Sequence, residues 1–272
     1  MRYNVAMDTR ITRCLRWLVD YARTFEDRAP EELRVRVRRK IVHPMRVLAH
    51  VRHILKEERP TPELALAAEI AAILHDAGRF AQLVDRRTAD DGSEYDHGRE
   101  GARILDGSDV LDVLDGHWRS VVIEAVRLHN RAALPEGMEP DARVVTEMVR
   151  DADKLDAVRN SVGGLLRKEL TGRAIKYGIT VHPTEVSADT VRRTRERKLI
   201  PYASMRWSND FVLFLCAWVH DLHFSYAYNR LIDTGHFEQL LALLPNQGVF
   251  PELKAQLRGD LHRLAGRKRT VA

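Results

Sequence analysis

The chain has 272 residues, of which 44% are hydrophobic and 31% charged; this is a globular composition, and it excludes wholesale disorder. A net charge of +5 suits anionic ligands such as phosphates, but it is too small to establish nucleic-acid binding. Two cysteines, Cys14 and Cys216, with no CxxC pair argue against a disulfide framework and point to a reducing, cytoplasmic compartment.

Strand signals are scarce, and apolar residues recur at helical spacing, so the expected fold is all-α. A first helix is predicted over residues 9–25. The Arg-rich stretch 30–58 is expected to break at Pro44, with a new helix starting beside His43, because proline is tolerated in a first turn. Residues 62–75 are apolar all round and predict a buried central helix, with Gly78 as its stop. An acidic loop follows around Asp90 and Asp91. Asp96 is placed as the N-cap of a helix running through Leu105. Further helices are predicted over 118–130 and 141–158, with the loop RAALPEG between them.

Beyond Gly163 and Gly164 the chain turns basic and less regular. Residues 192–198 are read as a solvated charged surface. Residues 208–233 are read as one long apolar helix packed on the core, and the tail GRKRTVA as frayed. The longest apolar run, 211–219, is too short to span a bilayer, which needs roughly twenty residues. Cys14 and Cys216 lie in apolar helical contexts, where thiols are inert. There is no Walker loop, Rossmann fingerprint or HExxH, which argues against an ATPase, a dehydrogenase and a zincin protease.

The chemistry-bearing residues are His43, the pair His75-Asp76, His97, His129 and Asp153, spread over separate predicted helices. Imidazole and carboxylate together suit divalent iron, manganese, zinc or related metals. Asp76 ends an apolar helix, and a carboxylate buried there needs a compensating cation. His97 directly follows a predicted N-cap, so a capping role competes with ligation there. His220-Asp221 repeats the dipeptide in an aromatic helix without matching context and is read as a decoy.

The segments IVHPMRV around His43, AAILHDAGRF around His75 and Asp76, and VRDADKLDAV around Asp153 resemble, in that order, the HD-domain superfamily of metal-dependent phosphohydrolases. YDHGREGARIL around His97 and AVRLHN around His129 resemble the extra histidines of its two-metal members. Among these are HD-GYP cyclic dinucleotide phosphodiesterases, diadenosine tetraphosphate hydrolases and di-iron oxygenases. The resemblance implies an HD-type helical bundle with a core at about 41–160 and a C-terminal helical extension at about 165–272, the whole forming a single domain. It implies one metal held by His43, His75, Asp76 and Asp153, and a second held by His97, His129 and the shared carboxylate of Asp76. Iron or manganese is the expected metal, with zinc, cobalt, nickel or magnesium as alternatives. The sequence departs from the HD-GYP type, since there is no GYP motif and Arg79 stands where that type has lysine.

A two-metal site lowers the pKa of water from 15.7 toward about 7 and can drive in-line attack on phosphorus. The expected reaction is hydrolysis of a nucleotide or another small phosphate ester. Asp76, Arg79 and Lys154 are the expected catalytic residues. Arg46, Arg79, Arg131 and Lys154 are the expected cations for the substrate, each also able to form an ordinary surface ion pair. Two rival readings are a di-iron oxygenase of the same fold and a non-catalytic nucleotide- or nucleic-acid-binding HD protein, the latter suggested by the Arg-rich stretch 34–46. No membrane partner is expected, nucleic acid is not favoured, and a homodimer is possible.

Overall fold

A computed structural model describes residues 8–88, 91, 95–166 and 178–266. The expected fraying of the GRKRTVA tail falls almost wholly outside these. The fold is all-α, and the described residues contain no strand beyond one isolated bridge between Thr180 and Trp207. Among the described residues, no helix is long and apolar enough to cross a membrane. Two compact units divide the chain, Met1–Ala152 and Asp153–Ala272.

The first unit opens with α1 (Thr9–Glu26), whose N-terminal amides are capped by Asp8. Ile11, Cys14, Leu18, Ala22 and Phe25 recur at steps of three and four, so one stripe of α1 is buried. Next comes α2 (Glu31–Glu58), a single helix with Pro44 inside it. The expected break at Pro44 is therefore corrected. Proline removes one i→i−4 hydrogen bond, but the turns on either side carry the helix through, and the ring itself is buried. His43 thus sits mid-helix, with the turn before it as regular scaffold.

Apolar all round, α3 (Pro62–Leu74) has nine buried residues and forms the core against α1, α2 and α6. His75 is its C-cap, and Asp76 begins the short turn into α4 (Gly78–Val84). Gly78 does not stop a helix, as expected from sequence; it starts one. A Cβ there would lie 2.2 Å from the His97 carbonyl oxygen, so only glycine lets α4 meet α5 (His97–Asp106) this closely. Gly98 serves the same purpose between α5 and α6 (Gly116–Leu128), where a Cβ would meet the Arg127 carbonyl at 2.9 Å. Asp96 caps α5 through the Arg99 amide, as the sequence predicts.

The helix α7 (Pro140–Leu166) runs without interruption past the division between the units and contains both Gly163 and Gly164. The second unit continues with α8 (Ala188–Arg195), α9 (Ser208–Ala217), α10 (Ser225–Asp233), α11 (His236–Leu243) and α12 (Phe250–Ala265). The expected single helix over 208–233 is corrected to α9, a 3-10 turn at Trp218–Asp221, and α10. Phe211, Leu215, Phe237, Leu240 and Leu257 lie in its core. Asp210, fully buried, anchors the turn before α9 by accepting from the Ser187 hydroxyl (2.6 Å) and from the amides of Ser187, Arg206 and Trp207. Both cysteines are buried and unpaired, and burial pushes the Cys14 thiol up to about 12. This agrees with the expectation of inert thiols.

Candidate metal centre

Four helix-borne imidazoles and one carboxylate converge inside the first unit. From mid-α2, His43 brings its Nε2 to 3.2 Å from Nε2 of His75 at the end of α3. From the start of α5, His97 brings its Nε2 to 3.0 Å from Nε2 of His129 at the end of α6. The rings of His75 and His129 meet edge to face with centroids 5.0 Å apart, which joins the two pairs. Asp76 lies between them. Its Oδ2 is 3.7 Å from His43 Nε2 and 4.0 Å from His75 Nε2. Its Oδ1 is 3.5 Å from His97 Nε2 and 3.9 Å from His129 Nε2. Two of the resulting groups can each hold a metal ion: His43, His75 and Asp76, and Asp76, His97 and His129.

The outer face of three of the four rings fixes the proton. His75 Nδ1 lies 2.8 Å from the Ala72 carbonyl, and His129 Nδ1 lies 2.7 Å from the Val126 carbonyl. A carbonyl only accepts, so Nδ1 carries the hydrogen in both rings and Nε2 points inward as a lone pair. His97 Nδ1 donates to the Asp91 carboxylate at 2.7 Å, with the same result. The contact between His97 and His129 is therefore lone pair against lone pair in the neutral rings, a repulsive arrangement that a cation between them relieves. Burial and the nearby Arg79 guanidinium hold the His97 imidazole below its ordinary value against the pull of Asp91 and Asp76, which keeps it neutral and able to ligate. This donor set, neutral nitrogens around one carboxylate, fits a divalent metal.

Asp76 is 5% exposed. Burial pushes its carboxyl up, but the Lys40 ammonium and the Arg79 guanidinium outweigh that and hold it well below the usual carboxylate range. Lys40 was not singled out by the sequence reading. It lies one turn before His43 on α2 and places its ammonium 2.8 Å from Asp76 Oδ2. Asp91 was also missed as a site residue. Besides His97 it accepts from Gln82 Nε2 at 3.0 Å and takes longer contacts of 3.4 Å from Arg79 and Asn130. Burial raises its carboxyl, yet the hydrogen bonds donated by His97 and the nearby Arg79 guanidinium bring it far below its ordinary value. A third missed residue is Arg150, buried on α7, which donates to the carbonyls of His129 and Arg131 and so closes the C-terminal end of α6.

The expected cations are placed as follows. Arg79 lies in the acidic network of the site, 3.5 Å from Asp76 Oδ1 and 2.6 Å from Gln82 Oε1. Arg131 pairs with Asp96 at 2.7 Å beside the start of α5. Arg46 is half-buried on α2, one turn beyond His43. Asp153 lies on α7, one turn beyond Arg150, at the first position of the second unit. Lys154 donates to the carboxylate (2.5 Å) and backbone carbonyl (2.7 Å) of Asp221 within that unit. His220, the other half of the repeated dipeptide, faces Asp260 at 3.8 Å. An exposed group on the first unit, His117, Glu139 and Asp141, has its Glu139 carboxylate committed to capping α7.

The model of one protein family, the HD domain, matches residues 41–160. This segment is an HD domain. The match begins two residues before His43 and ends seven residues after Asp153, so it takes in every ligand that the resemblance implied. No curated protein and no solved structure matches the chain. The HD domain therefore brings together His43, His75, Asp76, His97 and His129. Lys40 lies just outside the matched segment, though its ammonium sits on the central carboxylate.

Proposed function

We propose that the HD domain is a metal-dependent phosphohydrolase acting on a nucleotide or another small phosphate ester. The observation that carries this reading is the division of one buried carboxylate, Asp76, between two histidine pairs, with the Nε2 lone pairs of His75, His97 and His129 turned inward. His43, His75 and Asp76 Oδ2 would hold one divalent ion, and His97, His129 and Asp76 Oδ1 a second. Asp153 is proposed as the further ligand of the first. What supports it is its position one helical turn past Arg150, whose guanidinium already reaches the His129 carbonyl.

When bound, a divalent metal supplies Lewis acidity toward water and toward a phosphoryl oxygen. The chain's own residues do the rest. The carbonyls of Ala72 and Val126 and the carboxylate of Asp91 hold three imidazoles in one tautomer, so no proton has to leave Nε2. Arg79, already oriented by Gln82, presents positive charge beside Asp76 for an anionic substrate. Arg46, Arg131 and, once released from Asp221, Lys154 are proposed as outer cations that orient a phosphate.

Protein loaded with manganese or iron is expected to release phosphate or a nucleotide from at least one member of a broad phosphoester panel, and a chelator is expected to stop it. Oxygen uptake by the iron-loaded protein with no phosphoester turnover would overturn the reading in favour of an oxygenase.

A further inference from the structure

Lys40 and Asp76 form the shortest charged contact to the central carboxylate, 2.8 Å from Nζ to Oδ2. That oxygen is the one facing His43 and His75. The same lone pairs cannot serve an ammonium and a metal ion at full strength together. The lysine is also well placed to give way. Its side chain is 33% exposed while that of Asp76 is 6% exposed, so the ammonium has a route to water that the carboxylate largely lacks. Helix geometry explains why this lysine, of all the basic residues in the run from Arg34 to Arg39, reaches the site. It lies three residues before His43, hence on the same face of α2, whereas Arg38 pairs with Glu26 at 2.6 Å on another side.

We infer that Lys40 is a resident counter-cation of Asp76 that competes with metal for the His43/His75 half of the site and is released when that half is filled. The inference rests on the metal-binding reading above and extends it. The lysine keeps a buried carboxylate compensated while metal is absent, it sets a threshold for loading, and loading delivers a free ammonium at the edge of the centre. A charge-assisted contact of this kind has to be broken for metal to enter, so its removal should tighten metal binding roughly ten- to hundredfold.

Two measurements on the full chain test this, and neither depends on turnover. The first is manganese affinity by titration calorimetry for the wild type, Lys40→Met and Lys40→Arg. Lys40→Met is expected to bind more tightly, while Lys40→Arg, which keeps the charge and the reach, is expected to stay at or below the wild-type affinity. The second is acetylation of lysines by an amine-selective reagent, read peptide by peptide. Lys40 is expected to react slowly without metal and faster with manganese, while Lys56, near the far end of the same helix, reacts equally in both. If the wild type takes up manganese but Lys40→Met binds no more tightly and Lys40 labelling does not change, the competition is overturned and the metal site stands. If none of the three proteins takes up metal, the metal-binding reading is overturned and the inference with it.

Discussion

Both carboxylate oxygens of Asp91 lie 2.7 Å from Nδ1 of His97. The bond fixes which nitrogen of the ring faces Asp76, and Gln82 in turn steadies the carboxylate. Outer partners of this kind set both the orientation and the basicity of a ligating imidazole. Asp91→Asn is therefore expected to weaken metal at the His97/His129 half by roughly 10–100-fold while sparing the other half. Metal titration should show one tight and one weakened equivalent. Two unchanged equivalents would remove Asp91 from the site.

Gly78 gives the packing test. A methyl group at this position meets the His97 carbonyl oxygen and the Gly101 amide nitrogen, at 2.2 and 2.8 Å, and both are backbone atoms that cannot swing aside. Gly78→Ala is expected to destabilise the first unit by about 1–3 kcal/mol and to displace His97 from its partners. Urea denaturation and metal stoichiometry should both register the change, whereas Gly116→Ala, with nothing near its Cβ, should register in neither beyond ordinary helix propensity.

The second unit has its own acid-sensitive lock. Asp260, almost fully buried, accepts from Arg197 at 2.8 Å and Arg263 at 2.6 Å. Burial raises its carboxyl, but the two guanidinium groups outweigh that and lower it. A carboxyl lowered on folding contributes stability that is present above the unfolded value of about 3.9 and is lost as pH falls through the folded value. Asp260→Asn should thus cost roughly 1–3 kcal/mol at neutral pH, and the difference from wild type should shrink below about pH 4. A difference that stayed constant down to the acid transition would contradict the ionic account.

How far the sequence could be read depended on whether a signal was local. The HD dipeptide, the contexts of His43 and Asp153, and the Asp96 cap are each read from a handful of neighbouring residues, and the all-α fold follows from periodicity alone. Lys40 was hidden in the run RVRVRRKIV, where every basic residue looks like a solvated face. Its spacing of three before His43 was the available clue, and the expected break at Pro44 concealed it by placing the two on different helices. Asp91 carries no clue of this kind, because it reaches His97 from a loop and no helical period connects them. Gly78 reads as a helix stop, since the reason for glycine is a backbone 19 residues further on. Burial and long-range approach, rather than residue type, determined what stayed invisible.

The central claim is that one carboxylate serves two metal positions, and the metal content of the protein tests it most directly. Protein purified anaerobically, saturated with manganese or iron and freed of excess should contain two equivalents per chain by elemental analysis, and Asp76→Ala should contain neither. Two equivalents retained in Asp76→Ala, or none in the wild type, would contradict the account.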